Sequence, residues 1–432
     1  MLTPFYTGCG AYVLAAPKSP SRVGARHYCN IRPISPEQLQ VEFVTILELS
    51  EYVGDAGLPV RRRVGFTVPV SSNRNSALAS RRRINAHGPE RILAKNPKTA
   101  IADIQTMTMT KNTTPILPEA KLKLVSAAEP VTGVIVSNDS CVRGKSASFV
   151  RHTEIDISGT PLENNCLIGQ AFGVIAPGKD EQGKPHKVRL YSLACPSSGE
   201  DGAGKVISTT TKRVIEERTP QGKGDDPDDH RLFLGVCSNF LCDLRPGDEV
   251  KVTGPNGKRF LLPVNRDQHD YLFVAAGTGI APFRGMIMEL LTSPAQPSSS
   301  EIHLLMGAPF TTDLLYDDLF TGLATEHDNF HYHTAISRET QADGRPGLYV
   351  HHLLDQRFDE FSALLGNPRT IVYICGLAGM QSGVFQTLAR HGVADGYFTT
   401  KSPLADTDPD DWDLQKVRRA ARATERCMVE VY

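Results

Sequence analysis

The sequence predicts a three-part chain: a small α/β module, then an antiparallel β-barrel, then a doubly wound α/β domain. Three observations carry that expectation. Short β-like runs punctuated by Gly, Pro and Asn recur between residues 122 and 265 with no long helix between them, which is a barrel pattern. Beyond residue 265 apolar strands alternate with helical stretches, as in a parallel sheet covered on both faces. The first 110 residues also differ in charge: 14 Lys/Arg stand against 7 Asp/Glu, a surplus of +7, so in a chain of net charge −1 the remainder carries −8.

At 432 residues and 40% hydrophobic content the chain is long enough for two or three domains with good cores, and no apolar run is long enough to span a membrane. Nine cysteines are scattered without CxxC spacing. That argues against a zinc ribbon, an iron–sulfur domain or a secreted disulfide framework, and no metal is expected. Residues 1–30 are poor in acids and read as an irregular tail, with an organelle transit peptide as the alternative.

In residues 31–110, strands are expected at 41–49 (VEFVTILEL), 64–70 (VGFTVPV) and 100–107, with a helix at 73–84. Between Arg61 and Lys98 there are ten Lys/Arg and one acid, Glu90, a bias that suits either a solvated face or docking to an acidic partner. No aromatic residues interleave with the basic ones, so nucleic acid is not the expected partner. The polar, proline-bearing stretch KNTTPILP opens a linker over residues 111–121.

The barrel region, residues 122–265, carries β-like runs at 131–137, 149–157, 171–176, 188–194, 205–211 and 249–253. In RLYS, Arg189 to Ser192, alternation places Arg189 and Tyr191 on one face and Leu190 and Ser192 on the other. A guanidinium beside an aromatic ring suits a flavin nucleotide, one for pyrophosphate and the other for stacking on the ring system; a barrel tyrosine beside a surface arginine is the simpler alternative. Further on, GVCSNFL (Gly235, Val236, Cys237, Ser238 and onward) reads as a loop entering a helix whose free amides can meet the same pyrophosphate.

In residues 266–432, apolar strands are expected at 272–276, 302–306, 332–336 and 371–374, each delivering its carboxyl end to one crevice. The first ends in GTGIAP, where Gly277, Thr278 and Gly279 allow a tight turn and Pro282 suits a first helical turn. A lone G-x-G is weak evidence, since Pro282 replaces the third glycine of the dinucleotide fingerprint. The second strand ends in Met306, Gly307 and Ala308, with no acid to hold a free ribose 2′-hydroxyl. The third ends in Ser337 and Arg338, a hydroxyl and a guanidinium that suit a 2′-phosphate and point to NADP rather than NAD.

With these residues in view, residues 122–432 resemble the plant-type ferredoxin–NADP reductases. The resemblance rests on motifs in the family's order: IGQAFGVIAPG, KVRLYSLA, GVCSNFL, PGDEVKVTGPNGKRFLLP, GTGIAPFRG, AISRE, YICGLAGM and the terminal VEVY. It implies an FAD-binding antiparallel barrel, an NADP-binding α/β domain, and electron exchange between NADP(H) and ferredoxin or a flavodoxin-like carrier. Position by position, it implies that Arg189 contacts the FAD pyrophosphate, Tyr191 stacks on one flavin face and Ser192 lies near flavin N5. Tyr432 would cover the other face until the nicotinamide displaces it. Cys375 and Glu430 would flank the hydride-transfer site, Ser238 would meet the flavin pyrophosphate, and Lys212, Thr278, Ser337, Arg338 and Tyr349 would contact NADP. By themselves, Cys375 is a buried strand-end thiol and Tyr432 a chain end.

Two places depart from the family pattern. Arginines common after CGL and before the MYI-like strand are here Ala378 and Gly347, with Arg345 a candidate substitute for the latter and Lys187 a candidate in carrier docking. The segment VGFTVPVSSNRNSALASRRRINAHG, followed later by IADIQTM, resembles the phycobilisome rod-capping linker domain, although Val70 stands where that family has tyrosine and the loop 89–99 is long. This implies phycobilisome rod proteins as partners and a cytoplasmic location at the periphery of the photosynthetic membrane, the thylakoid, in preference to a plastid. Two alternatives remain: the reductase component of a multicomponent oxygenase, and an assembly linker with a vestigial reductase half.

Overall fold

The structure is a computed structural model that describes five strands within residues 1–113, and residues 114–432 apart from 218–230, 293–299, 342 and 403. The chain divides into two units, Met1–Ile101 and Ala102–Tyr432. In the first, Tyr6–Thr7 pairs with Ala11–Tyr12, and Val23–Ser35, Gln38–Glu51 and Val60–Val70 form a three-stranded antiparallel sheet in that order. The strands expected at 41–49 and 64–70 fall inside the last two. Val23–Ser35 corrects the expectation of an irregular tail up to residue 30. That segment is strand because it pairs along its length with Gln38–Glu51, a partner that composition does not announce. The helix expected at 73–84 and the strand at 100–107 lie outside the described residues.

The second unit opens with the barrel: Val131–Ser140 (β1), Val150–Asp156 (β2), Ala171–Ile175 (β3), Arg189–Ser192 (β4), Val206–Lys212 (β5), the helix Val236–Asp243 (α1) and Glu249–Asn256 (β6). The six strands are antiparallel in the order β5-β2-β1-β6-β3-β4. The two edge strands are then drawn together by single bonds. Ala194 N–H donates to Ser208 O at 2.9 Å, and the Thr209 hydroxyl donates to Ser192 O at 2.8 Å. The edges are thereby closed to foreign strands, which is what a barrel achieves. A short hairpin, Ile215–Glu217 with Leu232–Leu234, was not expected from the sequence and leads directly into α1.

The rest of the chain alternates: Asp270–Ala276 (β7), Ala281–Thr292 (α2), Ile302–Ala308 (β8), Asp317–Glu326 (α3), Phe330–Ile336 (β9), Val350–Gln356 (α4), Phe358–Gly366 (α5), Thr370–Gly376 (β10), Ala378–Arg390 (α6) and Cys427–Val431 (β11). The sheet is wholly parallel in the order β9-β8-β7-β10-β11. The chain moves outward from β7 in one direction and, after β9, in the other. The reversal lies between β7 and β10, and a crevice opens beyond the carboxyl ends at such a point. Both faces are covered, so β7 and β10 are apolar from Tyr271 and Ile371 onward; Phe273 and Tyr373 pack toward the barrel side, Val274 and Ile374 toward α4–α6. The fifth strand, β11, was visible in the sequence only as the motif VEVY.

Candidate functional site

All five strand ends meet in one cleft of about 750 Å³ between the sheet and the barrel. Ala276 and Gly277 come from β7, Gly307 and Ala308 from β8, Ser337 and Arg338 from beyond β9, Leu377 from beyond β10, and Tyr432 from beyond β11. Lys212 closes it from the barrel, and Tyr349 from the start of α4. Seven residues singled out by sequence are therefore brought together: Lys212, Gly277, Thr278, Ser337, Arg338, Tyr349 and Tyr432.

The charge in this cleft is one-sided. Neither Lys212 nor Arg338 has a carboxylate partner among the described residues, and the acid in the lining, Asp313, accepts a short hydrogen bond from Ser146. Two unneutralised cations in a mostly apolar cleft call for an anion. Arg345 does not join them, because its guanidinium is held by Asp343 at 2.7 Å and Gln356 at 3.2 Å. The missing arginine at Gly347 also has a cause. A Cβ there would lie 2.6 Å from the Ser337 carbonyl, so no larger residue fits unless that backbone moves.

The two glycines of the turn have different jobs. Gly277 has φ of +56°, and a Cβ on it would meet nothing within 4 Å, so it bends the chain and leaves its surface open. Gly279 is buried, and its Cβ would strike the Cys375 carbonyl at 2.1 Å. The absent Cβ at Gly279 admits the neighbouring strand β10. The turn itself is a 3₁₀ segment, Gly277–Ile280, running straight into α2 with Pro282 in its first turn.

Tyr432 stands over this turn. Its hydroxyl is 2.8 Å from Thr278 Oγ1, its backbone bonds Gly376 and Ala378, and its ring is 63% exposed. It is held by its main chain and one side-chain bond, so the ring can leave without disturbing β11. Beneath it, Cys375 and Glu430 are register partners on β10 and β11. Cys375 is buried, and burial, with the Glu430 charge adding to it, pushes its thiol well above the ordinary range. It is a neutral thiol at physiological pH. Burial also raises Glu430, partly opposed by Ser192, whose Oγ lies 3.5 Å from Glu430 Oε2. Ser192 at the end of β4 thus links the barrel to the Cys375–Glu430 pair.

The remaining sequence-predicted residues form a second group outside the cleft. Exposure along β4 does not alternate as expected: Arg189 and Leu190 are both bare, Tyr191 and Ser192 half-covered. The reason is that β4 is an edge strand, paired only with β3. Arg189 has no hydrogen-bond or ion-pair partner among the described residues. Tyr191 is raised by burial and lies against the Cys237 thiol. Gly235 caps α1 and Val236 is exposed, but Cys237 points at Val174 O, 3.8 Å away. Ser238 is occupied too, accepting from Val214 N–H at 3.3 Å and donating to Gly235 O at 3.1 Å. What this region offers a ligand is the free Arg189, the α1 amides, and bare apolar surface at Leu190, Leu232, Phe233, Leu234 and Val236.

Sequence reasoning missed His351, His352, Leu377 and Met380 in the cleft lining. The two histidines directly follow Tyr349 and Val350, and a strand-end count carried one turn into α4 finds them. It also missed the ion pair between Glu200 of the barrel and Arg284 of α2.

Residues 273–386 match the family described as oxidoreductase NAD-binding domain. The chain is 36% identical to the chloroplastic root isozyme 2 of ferredoxin–NADP reductase from Arabidopsis thaliana, over 72% of this chain and 76% of the relative. It is 34% identical to a ferredoxin–NADP reductase from Picosynechococcus, over 70% of each. The fold is shared with a ferredoxin–NADP⁺ reductase structure from Plasmodium falciparum, at a TM-score of 0.52 and 24% identity, covering 72% of this chain and 98% of that one. With the barrel, the parallel sheet and the strand-end cleft in place, these relatives settle the kinship: the chain belongs to the ferredoxin–NADP reductase family.

Proposed function

We propose that this chain is an FAD-dependent reductase that exchanges electrons between NADP(H) and ferredoxin or a similar one-electron carrier. The observation that carries the reading is the cleft at the strand ends, with the unpaired Arg338 and Lys212 at its wall and Tyr432 over its glycine turn. FAD accepts or donates a hydride on one side and single electrons on the other, which is the conversion the two partners require. The free Arg189, Tyr191 and the exposed apolar hairpin residues before α1 fit a flavin nucleotide: guanidinium and helix amides for pyrophosphate, apolar surface for ring and adenosine.

On this reading the protein's own groups position and shield. Ser337, Arg338, Lys212 and Tyr349 hold the adenosine end of NADP, and Thr278 with Gly277 receives its pyrophosphate. Tyr432 yields its place to the nicotinamide. Cys375 fixes the distance of approach by packing, and Glu430, raised by burial, accepts a hydrogen bond from Ser192 at the end of the barrel strand β4.

The test is NADPH-driven ferredoxin reduction by the purified yellow protein, full-length and truncated to begin at Leu122. Turnover by both supports the proposal; a chain serving an oxygenase instead would reduce that component and leave ferredoxin untouched, and a vestigial reductase half would reduce nothing. Arg338→Ala is expected to weaken NADP⁺ binding roughly 10- to 100-fold, the about 1.5–3 kcal/mol of a charge-assisted bond, with NAD⁺ binding changed by less than about threefold. Equal loss for both cofactors in equilibrium titrations would remove Arg338 from the 2′-phosphate site.

For residues 1–110 we propose docking to an acidic partner, on the ten Lys/Arg against one acid between Arg61 and Lys98. The phycobilisome rod is the partner to try first, by pulldown with the full chain.

A further inference from the structure

At the other end of the parallel sheet, on the face toward α5, the pairing of β8 with β9 gathers a cluster that no linear motif announces. His303 and His331 are register partners on the two strands, Glu301 precedes β8, and His333 lies two residues beyond His331 on the same face. Glu301 Oε1 sits between two imidazoles, 2.5 Å from His331 Nε2 and 3.4 Å from His303 Nε2. The three ligand atoms all lie within 4.8 Å of one another. Bonds of about 2.0–2.1 Å in a tetrahedral site place ligand atoms about 3.3 Å apart, which the Glu301–His303 spacing already matches, and the His331 ring, stacked 4.5 Å from His303 between centroids, has to draw back from Glu301 and turn to complete the set.

Behind the cluster stands an orienting chain. Arg357 Nη1 donates to His333 Nδ1 at 3.2 Å, which leaves the His333 proton on Nε2, 3.3 Å from His303 Nδ1. The inner rings are packed against Phe361, with centroids 5.6 Å from His303 and 5.3 Å from His333. Glu301 and His331 are 45% and 38% exposed, which gives a cation an open entry.

We infer that Glu301, His303 and His331 form a binding site for a zinc-class divalent cation, with water as the fourth ligand and His333 orienting His303 from behind. Binding moves protons without releasing any. His303 and His331 each shift their proton from Nε2 to Nδ1; His303 Nδ1–H then donates to His333 Nε2, and His333 carries its proton on Nδ1. Arg357 gives up its bond to His333 and keeps Glu360, to which its Nε already donates at 2.7 Å. The cluster is near the amino ends of β8 and β9, about 15 Å along the strands from the cleft, so the metal braces the sheet edge and takes no part in electron transfer.

The experiment is calorimetric titration of chelator-treated, full-length holoprotein with zinc chloride, repeated with cobalt chloride while watching for the intense visible absorption of a tetrahedral site. The wild type should bind one equivalent in its tightest class and melt at a higher temperature with zinc present. His331→Ala and Glu301→Gln, both at the surface and safe for folding, should each weaken that class at least tenfold and abolish the thermal shift. Arg357→Ala, which frees His333 to change tautomer, should tighten binding. Absence of a tight class in the wild type, or a tight class that neither surface variant weakens, overturns the inference and leaves the cluster a hydrogen-bonded relay.

Discussion

Replacing Glu200 by alanine is expected to destabilise the second unit by about 3–5 kcal/mol, the usual cost of leaving one partner of a buried ion pair alone. Glu200 lies on the barrel loop between β4 and β5, and Arg284 on α2 reaches it with Nη1 at 2.5 Å and Nη2 at 3.2 Å while also donating to Ala194 O at 2.9 Å. Ser208 Oγ donates to the same carboxylate at 2.6 Å, and His152 Nε2 is 3.3 Å away. Burial alone would raise this carboxyl, but His152, Arg284 and Ser208 together bring it down to about 2. A carboxyl lowered on folding contributes stability that is present above its unfolded value near 4.5 and lost as pH falls toward 2. The melting temperature of Glu200→Ala should therefore fall by roughly 4–7 °C at neutral pH, and the gap to wild type should narrow below about pH 4. Arg284→Met should behave similarly, and the double variant should lose less than the sum of the two. A gap that stays constant down to pH 2 would show that the pair is not the source. The pair also has functional weight, because α2 begins at the glycine turn: Arg284 ties the barrel and the turn into one body, and Gly285 abuts the Cys195 carbonyl so closely that a Cβ would lie 2.3 Å from it.

What the sequence makes legible follows from the range of the interactions. Strand–helix alternation and barrel punctuation are local, so β7 to β10 and the six barrel strands stand out. The ends of β7 and β9 carry chemistry in adjacent letters, GTG and Ser337–Arg338, and they meet in the cleft. Contacts made only by the tertiary fold were not legible. Nothing near Glu200 in sequence names Arg284, 84 residues on. Nothing in the turn tells Gly277, which is open to solvent, from Gly279, which faces Cys375; the difference is the strand beside them. Gly347 reads in the sequence only as a departure from the family pattern, whereas the Ser337 carbonyl at 2.6 Å makes it a packing requirement. Likewise, the scattered cysteines spoke against zinc, but the His303–His331 pair depends on the register of two strands and has no sequence spacing to recognise.

Cys375→Ala is expected to slow hydride transfer between NADPH and the flavin by roughly 10- to 100-fold while NADP⁺ affinity changes by less than about threefold. Chemistry at the sulfur is not the reason. The thiol is neutral, pushed up by burial first and by Glu430 second, so it is neither a nucleophile nor a base at physiological pH. Its effect is steric: it lies one residue before the end of β10, close to Tyr432, and its carbonyl is the wall against which Gly279 is packed. Removing Sγ lets the incoming ring settle deeper or tilt, and a misplacement of about 1 Å costs on the order of 10²-fold in a transfer that needs near-contact geometry. Affinity is spared because Arg338, Lys212 and Tyr349 hold the opposite end of the dinucleotide. Cys375→Ser, which keeps most of the volume, should lose less than Cys375→Ala. Stopped-flow reduction of the bound flavin by NADPH separates the outcomes. An unchanged transfer rate in the alanine variant would eliminate the positioning role, and a parallel loss of rate and affinity would move Cys375 from alignment to binding.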